Sequence, residues 1–229
     1  MIIGQLLYAV LWIIITLIAI TPILMLAKRA GAGGLIGIYV GLTIIATICA
    51  TKIVSLVGLT VAGGTIIYSV TYLVTDLLSE CYSKKDAETA VHAGILGMLL
   101  YFFYSYIVLK WPAPPFWNLQ NEFEVIISLS GRISIAGLVA FYVSQRTDIL
   151  IFHFLKKKHG SDKLWLRNIA STTISQAVDS VIFTIIAFWG VMPVLPIMTG
   201  VYLIKVLVAL MDTPLVYIGR SILGTSNSR

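Results

Sequence analysis

The sequence predicts an all-α fold, a polytopic bundle of membrane-spanning helices, and three observations carry that expectation. Hydrophobic residues make up 59% of the 229 positions and charged residues only 11%, against roughly 45–50% apolar residues in soluble domains. Uncharged runs such as Ile2–Ala27 and Ile186–Ile204 exceed the roughly 18 residues expected of a spanning helix. Lysine and arginine collect in short segments between apolar runs, as orientation signals do. The net charge of +6 therefore reads as membrane topology and not as a nucleic-acid surface.

Seven spans follow in order, at about 4–27, 35–57, 61–79, 88–109, 126–155, 167–190 and 197–218. The first has no positive leading region and no small-residue cleavage site, so it reads as a retained helix rather than a signal peptide. Between the second and third, Ala50–Thr65 holds Lys52, Gly58, Gly63 and Gly64, which leaves open a single broken, re-entrant element. The fourth is stopped by Pro112, Pro114 and Pro115. Those prolines lie in WPAPPFWNLQNEFE (111–124), whose Trp111, Phe116 and Trp117 suit headgroup depth. The connections at Lys28–Arg29, at Lys84–Lys85 and from Lys156–Lys158 to Arg167 are basic, while 58–60 and 191–196 are uncharged. The positive-inside rule then places the N-terminus outside and the C-terminus, with Arg220, in the cytoplasm of a multi-pass cytoplasmic-membrane protein.

Ionisable groups inside such spans cost on the order of 3 kcal/mol each and usually face the bundle interior. This chain carries Lys52, Asp76, Glu80, Arg132, Asp148, Asp179, Lys205 and Asp212 in its spans, with the amides Gln145, Asn168 and Gln176. SQRTDILIF (144–152) and SQAVDSVIF (175–183) share Ser, Gln, Asp, Ile and Phe at the same offsets. Gln145–Asp148–Phe152 and Gln176–Asp179–Phe183 each follow i, i+3, i+7, which is one helix face. Asp148 precedes Lys156 by about 12 Å of helix and Asp179 follows Arg167 by about 18 Å, so an antiparallel hairpin brings both to overlapping depth. Two readings stand: the groups bind each other as helix-packing glue, or they surround a ligand. A carboxylate, an amide and an aromatic face suit a planar, donor-rich heterocycle, and also a small cation or a proton relay. Tyr72 and Tyr142 join Phe152 and Phe183 as stacking candidates, and Asp76 and Glu80 share a face one turn apart.

Several chemistries find no support. There is no HExxH, no paired-histidine spacing among His92, His153 and His159, no glycine-rich phosphate loop and no GxSxG elbow, so no catalytic residue, metal or cofactor is expected. Cys49 and Cys81 suggest neither a disulfide framework nor a zinc site.

TDLLSECYSKKDA (75–87) resembles the "DLLSEVYGKKxA" signature of the queuosine precursor transporter family, also called the vitamin uptake transporter family. Arg132 with SQxxD at 144–148, then RNIASTTISQAVDSVIF (167–183), Lys205 and Pro214 resemble its later motifs in order. Ser83 departs from the usual glycine. The likeness covers roughly 40–218 and implies a six-helix transporter core (35–229) preceded by an added N-terminal helix and basic loop (1–34). It implies import of a 7-deazaguanine such as 7-cyano-7-deazaguanine or its aminomethyl form. The substrate-contacting candidates are then Asp148, Gln145, Asp179, Gln176, Arg132, Asn168 and Phe183. The gating or proton-linked candidates are Asp76, Glu80, Lys52 and Lys205. The expected partners are the small-molecule 7-deazapurine and the lipid bilayer, with no nucleic acid and with homo-oligomerisation left open. The alternative is a substrate-binding subunit of an energy-coupling-factor importer, a relation that rests on fold analogy.

Overall fold

A computed structural model of the chain describes residue 11 and residues 29–50, 52–56, 59–128, 131–159, 163–190 and 194–223. The expected first span (4–27) lies outside the described residues. The helices are α1 (Ala32–Cys49), α2 (Thr65–Cys81), α3 (Lys84–Lys110), α4 (Gln120–Ser128), α5 (Gly131–His159), α6 (Leu164–Phe188) and α7 (Val194–Leu223), with strands β1 (Ile53–Leu56) and β2 (Leu59–Ala62) between α1 and α2. Among the described residues, α1, α3, the stretch Ile135–Lys158 of α5, and α6 are long and apolar enough to cross a membrane.

Two boundaries differ from expectation. The second span ends at Cys49, not 57, because the chain turns into an antiparallel hairpin that pairs Ile53 with Ala62 and Leu56 with Leu59. Ile53, Val54, Thr60 and Val61 are β-branched, and an apolar run of such residues reads equally as helix or strand. The hairpin returns under the last turn of α1, and a Cβ on Gly64 would overlap the backbone carbonyl of Ala46 there. Between α3 and α5 the expected interfacial segment carries its own short helix, α4, which packs against α3.

The bundle is apolar outside and polar within. Leu96, Leu99, Leu100 and Phe103 of α3 are exposed, while Thr71, Thr75, Asp76, Ser79 and Glu80 of α2 are buried. Every residue of α2 from Ser69 to Cys81 is buried, so α2 is the central helix, with α1, α3, α5 and α7 packed around it. A helix covered on all sides is ordinarily apolar all round. The polar residues of α2 must therefore find their partners on neighbouring helices.

Ser83 has a local purpose. It is the N-cap of α3, where its Oγ accepts the Asp86 N–H (3.1 Å) and donates to the Asp86 carboxylate (2.6 Å). That is a capping pair, with an acid in the first turn to complement the helix dipole. The resemblance to the family departs from its signature at a position where serine ends one helix and starts the next.

Candidate functional site

The interior is organised by α2, α5 and α6. The α5–α6 hairpin is held by an exchange between the two SQxxD repeats. Ser144 of the first donates to Asp179 of the second (3.1 Å), and Ser175 of the second donates to Asp148 of the first (2.9 Å). Antiparallel helices in this register place each serine opposite the other repeat's aspartate. The matching serine offset was visible in the sequence, but serine inside a spanning helix usually bonds its own backbone, so the cross-pairing carried no sequence signal.

Asp179 is the better supplied of the two. Tyr68 of α2 donates to its Oδ1 (2.9 Å), beside Ser144, and Lys205 of α7 forms an ion pair with Oδ2. The Lys205 ammonium also lies 5.1 Å from the centre of the Tyr68 ring. Four helices thus meet on one carboxylate. Tyr68 was not among the sequence candidates. Tyr72 was one, as a stacking group, and here its hydroxyl donates to Ser144 (2.8 Å).

Asp148 has a different surround. Its Oδ1 takes the Ser175 hydroxyl, and its Oδ2 has no hydrogen-bond partner among the described residues. Asp76 in turn accepts from the Asn168 side-chain amide and from Thr172 (3.5 Å). The α6 donors Asn168, Thr172 and Ser175 are spaced i, i+4, i+7 and present one face to both acids.

The structure separates Glu80 from this group. Its carboxylate accepts Arg167 (2.7 Å), with Lys156 at 3.4 Å and Arg220 at 3.6 Å, so one acid ties together α2, α5, α6 and α7. Lys156 also donates to the Ser79 carbonyl (3.1 Å) near the C-terminus of α2, where a cation complements the helix dipole. Arg167 is fully buried and stacks on Phe152 at 5.5 Å. Phe152 thereby supports the Glu80 cluster instead of facing the other rings. In the sequence, Lys156, Arg167 and Arg220 read as orientation signals, since nothing local shows that they converge on Glu80.

The remaining candidates divide. Gln145 is satisfied within the bundle, donating to Thr71 (3.0 Å) and accepting from Thr75 (3.3 Å). Phe183 is half-buried with its ring 5.9 Å from Phe188. Tyr142 is exposed beside Arg146 on the outer face. Lys52 is exposed at the entrance to the hairpin and makes no ion pair among the described residues. The side chains of Arg132 and Asp212 lie outside the described residues. Cys49 and Cys81 are free thiols.

Gln176 differs from all of these. It is fully buried, yet neither its amide nitrogen nor its oxygen has a hydrogen-bond partner among the described residues. The Ser180 hydroxyl, one turn on, shares that condition. A buried primary amide can make several hydrogen bonds, and leaving it without any costs about 1–3 kcal/mol. Among the described residues, the α6 face at Gln176 and Ser180 thus holds buried polar groups that no side chain or backbone group meets.

The family described as "Putative vitamin uptake transporter" matches residues 62–219, which span α2 through most of α7. The chain belongs to that family. This member of the vitamin uptake transporter family is a multi-pass membrane protein and a transporter rather than an enzyme. It is 33% identical over 220 residues, 93% of its length and 94% of the relative's, to the "Probable queuosine precursor transporter" of Bacillus subtilis (strain 168). It is 26% identical over 136 residues, 59% of each chain, to the "Queuosine precursor transporter" of Escherichia coli (strain K12). No solved structure matches the chain. The family match covers Asp76, Glu80, Asp148, Gln176, Asp179 and Lys205, whereas Tyr39 and Lys52 fall before it.

Proposed function

We propose that this transporter imports a queuosine precursor, a 7-deazaguanine such as 7-cyano-7-deazaguanine, across the cytoplasmic membrane. The observation that carries the reading is the buried, unsatisfied amide of Gln176, one helix turn from the Asp179 carboxylate. The names of the two relatives support the choice of substrate. A guanine-like edge offers a ring N–H and an exocyclic amine to a carboxylate, and a carbonyl to an amide donor. Gln176 and Asp179 supply those groups, and Ser180 adds a hydroxyl. Asp179 then exchanges the Lys205 ammonium for ligand N–H donors, which gives Lys205 its gating role. In this reading Gln145, Asp148 and Asn168 frame the site from within the helix contacts described above.

The architecture is a six-helix core over 35–229 with an added N-terminal helix in 1–34. The basic connections lie in the cytoplasm, the N-terminus outside and the C-terminus inside. The Glu80 cluster then closes the cytoplasmic end of the bundle.

The test is counterflow of labelled 7-cyano-7-deazaguanine in liposomes holding only the purified chain. Gln176→Leu removes an amide that no described protein group uses, so the thermal midpoint should hold or rise while counterflow falls by about tenfold or more. Unchanged counterflow in that variant would remove Gln176 from the site. Binding of the probe without any counterflow by the wild type would favour a substrate-binding subunit of an energy-coupling-factor importer.

A further inference from the structure

The stacking groups expected from the sequence are engaged elsewhere: Phe152 lies against Arg167, Phe183 against Phe188, and Tyr142 faces outward beside Arg146. The ring that does stand at the Asp179 carboxylate is Tyr68 of α2, whose hydroxyl donates to Oδ1 (2.9 Å). Over that ring lies the Lys205 ammonium, 5.1 Å from its centre and paired at the same time with Oδ2. We infer that the Tyr68 ring is the stacking platform of the substrate site, covered by the Lys205 ammonium until the flat face of a ligand takes its place. This role rests on the substrate reading, in which Asp179 exchanges Lys205 for ligand N–H donors.

Lys205 shows that one position serves both groups. A cation over an aromatic face is attracted by the ring quadrupole, and an ionised carboxylate accepts N–H donors. The ammonium meets both at once, so a group lying over the Tyr68 ring also reaches Asp179. A guanine-like heterocycle carries two matching features on one rigid frame: a flat π-face, and an edge with a ring N–H and an exocyclic amine. With its face on Tyr68, its donor edge can fall at the carboxylate that the Tyr68 hydroxyl holds. Gln176, one turn before Asp179 on α6, is buried with no partner among the described residues and supplies the amide for the ligand carbonyl.

The ring is fixed before any ligand arrives. Phe141 of α5 stands 5.5 Å from it at an interplanar angle of 57°, and Tyr72 of α2 stands 5.9 Å away at 70°. Both are buried, and Phe141 is itself backed by Tyr39 of α1, at 6.0 Å. Tilted and edge-on contacts of this kind are the favoured aromatic geometries. The Tyr68 hydroxyl on Asp179 anchors the far end of the same ring. Tyr68 nevertheless keeps some accessible surface, unlike Tyr72 and Phe141. A platform held rigid in advance loses little side-chain freedom on binding, which favours affinity. It also selects for planar ligands, since a saturated ring with the same donors would meet Asp179 and gain little from the face.

The test is equilibrium binding of two probes to the purified full-length protein in detergent, the weaker one read by competition. 7-Cyano-7-deazaguanine is bicyclic, whereas isocytosine carries the same carbonyl, ring N–H and amine on a single ring, with about half the stacking face. Stacking of a base on an aromatic side chain is worth on the order of tenfold or more in affinity. Tyr68→Leu should therefore weaken the bicyclic probe by about thirtyfold and isocytosine by about fivefold, so their affinity ratio falls by about sixfold. Tyr68→Met, which keeps bulk without a π-face, should do the same, with size-exclusion profiles confirming that each variant is folded. Tyr68→Phe keeps the face and loses only the hydroxyl, so its ratio should stay within about twofold of the wild type. Asp179→Asn should weaken both probes alike. A ratio unchanged in Tyr68→Leu or Tyr68→Met, or lowered as far by Tyr68→Phe, overturns the stacking role, while wild-type binding of both probes still upholds the substrate reading. If the wild type binds neither probe, the substrate reading fails and the stacking role falls with it.

Discussion

Replacing Glu80 by glutamine isolates the contribution of one buried charge. Arg167 is fully exposed to the consequence, because its side chain has no solvent access and its guanidinium is 2.7 Å from the carboxylate that would be lost. Lys156 and Arg220 keep roughly a quarter of their side chains in solvent, 24% and 29%, and can rehydrate. Breaking a buried pair by removing one partner costs about 3–5 kcal/mol, whereas exposed pairs contribute about 0–1 kcal/mol each. Glu80→Gln should therefore destabilise the protein by about 3–5 kcal/mol, lowering the thermal midpoint in detergent by on the order of 10 °C. Arg220→Gln should cost about 1 kcal/mol or less. The double variant Glu80→Gln/Arg167→Gln removes the buried cation together with its acid and should recover most of the loss, which a double-mutant cycle measures directly. A Glu80→Gln protein as stable as the wild type, or a double variant no better than the single, would refute the argument that Glu80 compensates the buried Arg167 charge.

Two further predictions concern the framework. Ser144→Ala and Ser175→Ala each remove one donor from a buried carboxylate and should each lower stability by about 1–3 kcal/mol, read from the thermal midpoint; a loss below about 0.3 kcal/mol at both would mean that the exchange is incidental. Gly64→Ala should sharply reduce the yield of folded protein on size exclusion, since the new Cβ meets the Ala46 backbone, while Gly33→Ala, in open space, should express like the wild type.

The helical character of the chain was legible because long apolar runs need no partner to declare themselves. The span boundaries near 49–65 were not, since Ile53–Leu56 and Leu59–Ala62 are apolar, β-branched stretches whose identity as strands depends on their pairing with each other. Within the site, the carboxylates and amides were legible as expensive groups in an apolar setting. What they touch was not. Gln145 and Gln176 occupy equivalent places in the repeat, yet one meets Thr71 and Thr75 and the other meets nothing described. That difference comes from α2 lying against one helix face, and sequence spacing within α5 or α6 carries no information about it. Arg167 shows the same limit: its charge was plain, but only the tertiary arrangement puts Glu80, some 87 residues away in sequence, within reach.

The crossed serines have a mechanical consequence. Ser144 and Asp148 lie four residues apart on α5, as do Ser175 and Asp179 on α6, and the two strands of that ladder run in opposite directions. Sliding one helix along the other by a single turn would take both hydroxyls off both acids together, so the two contacts work like a pair of dowels. The α5–α6 hairpin should then travel as one beam. Any motion that admits a molecule to Gln176 is left to the seams this beam makes with α2 and α7, where the fastenings are the Tyr68–Asp179–Lys205 junction and the Glu80 cluster.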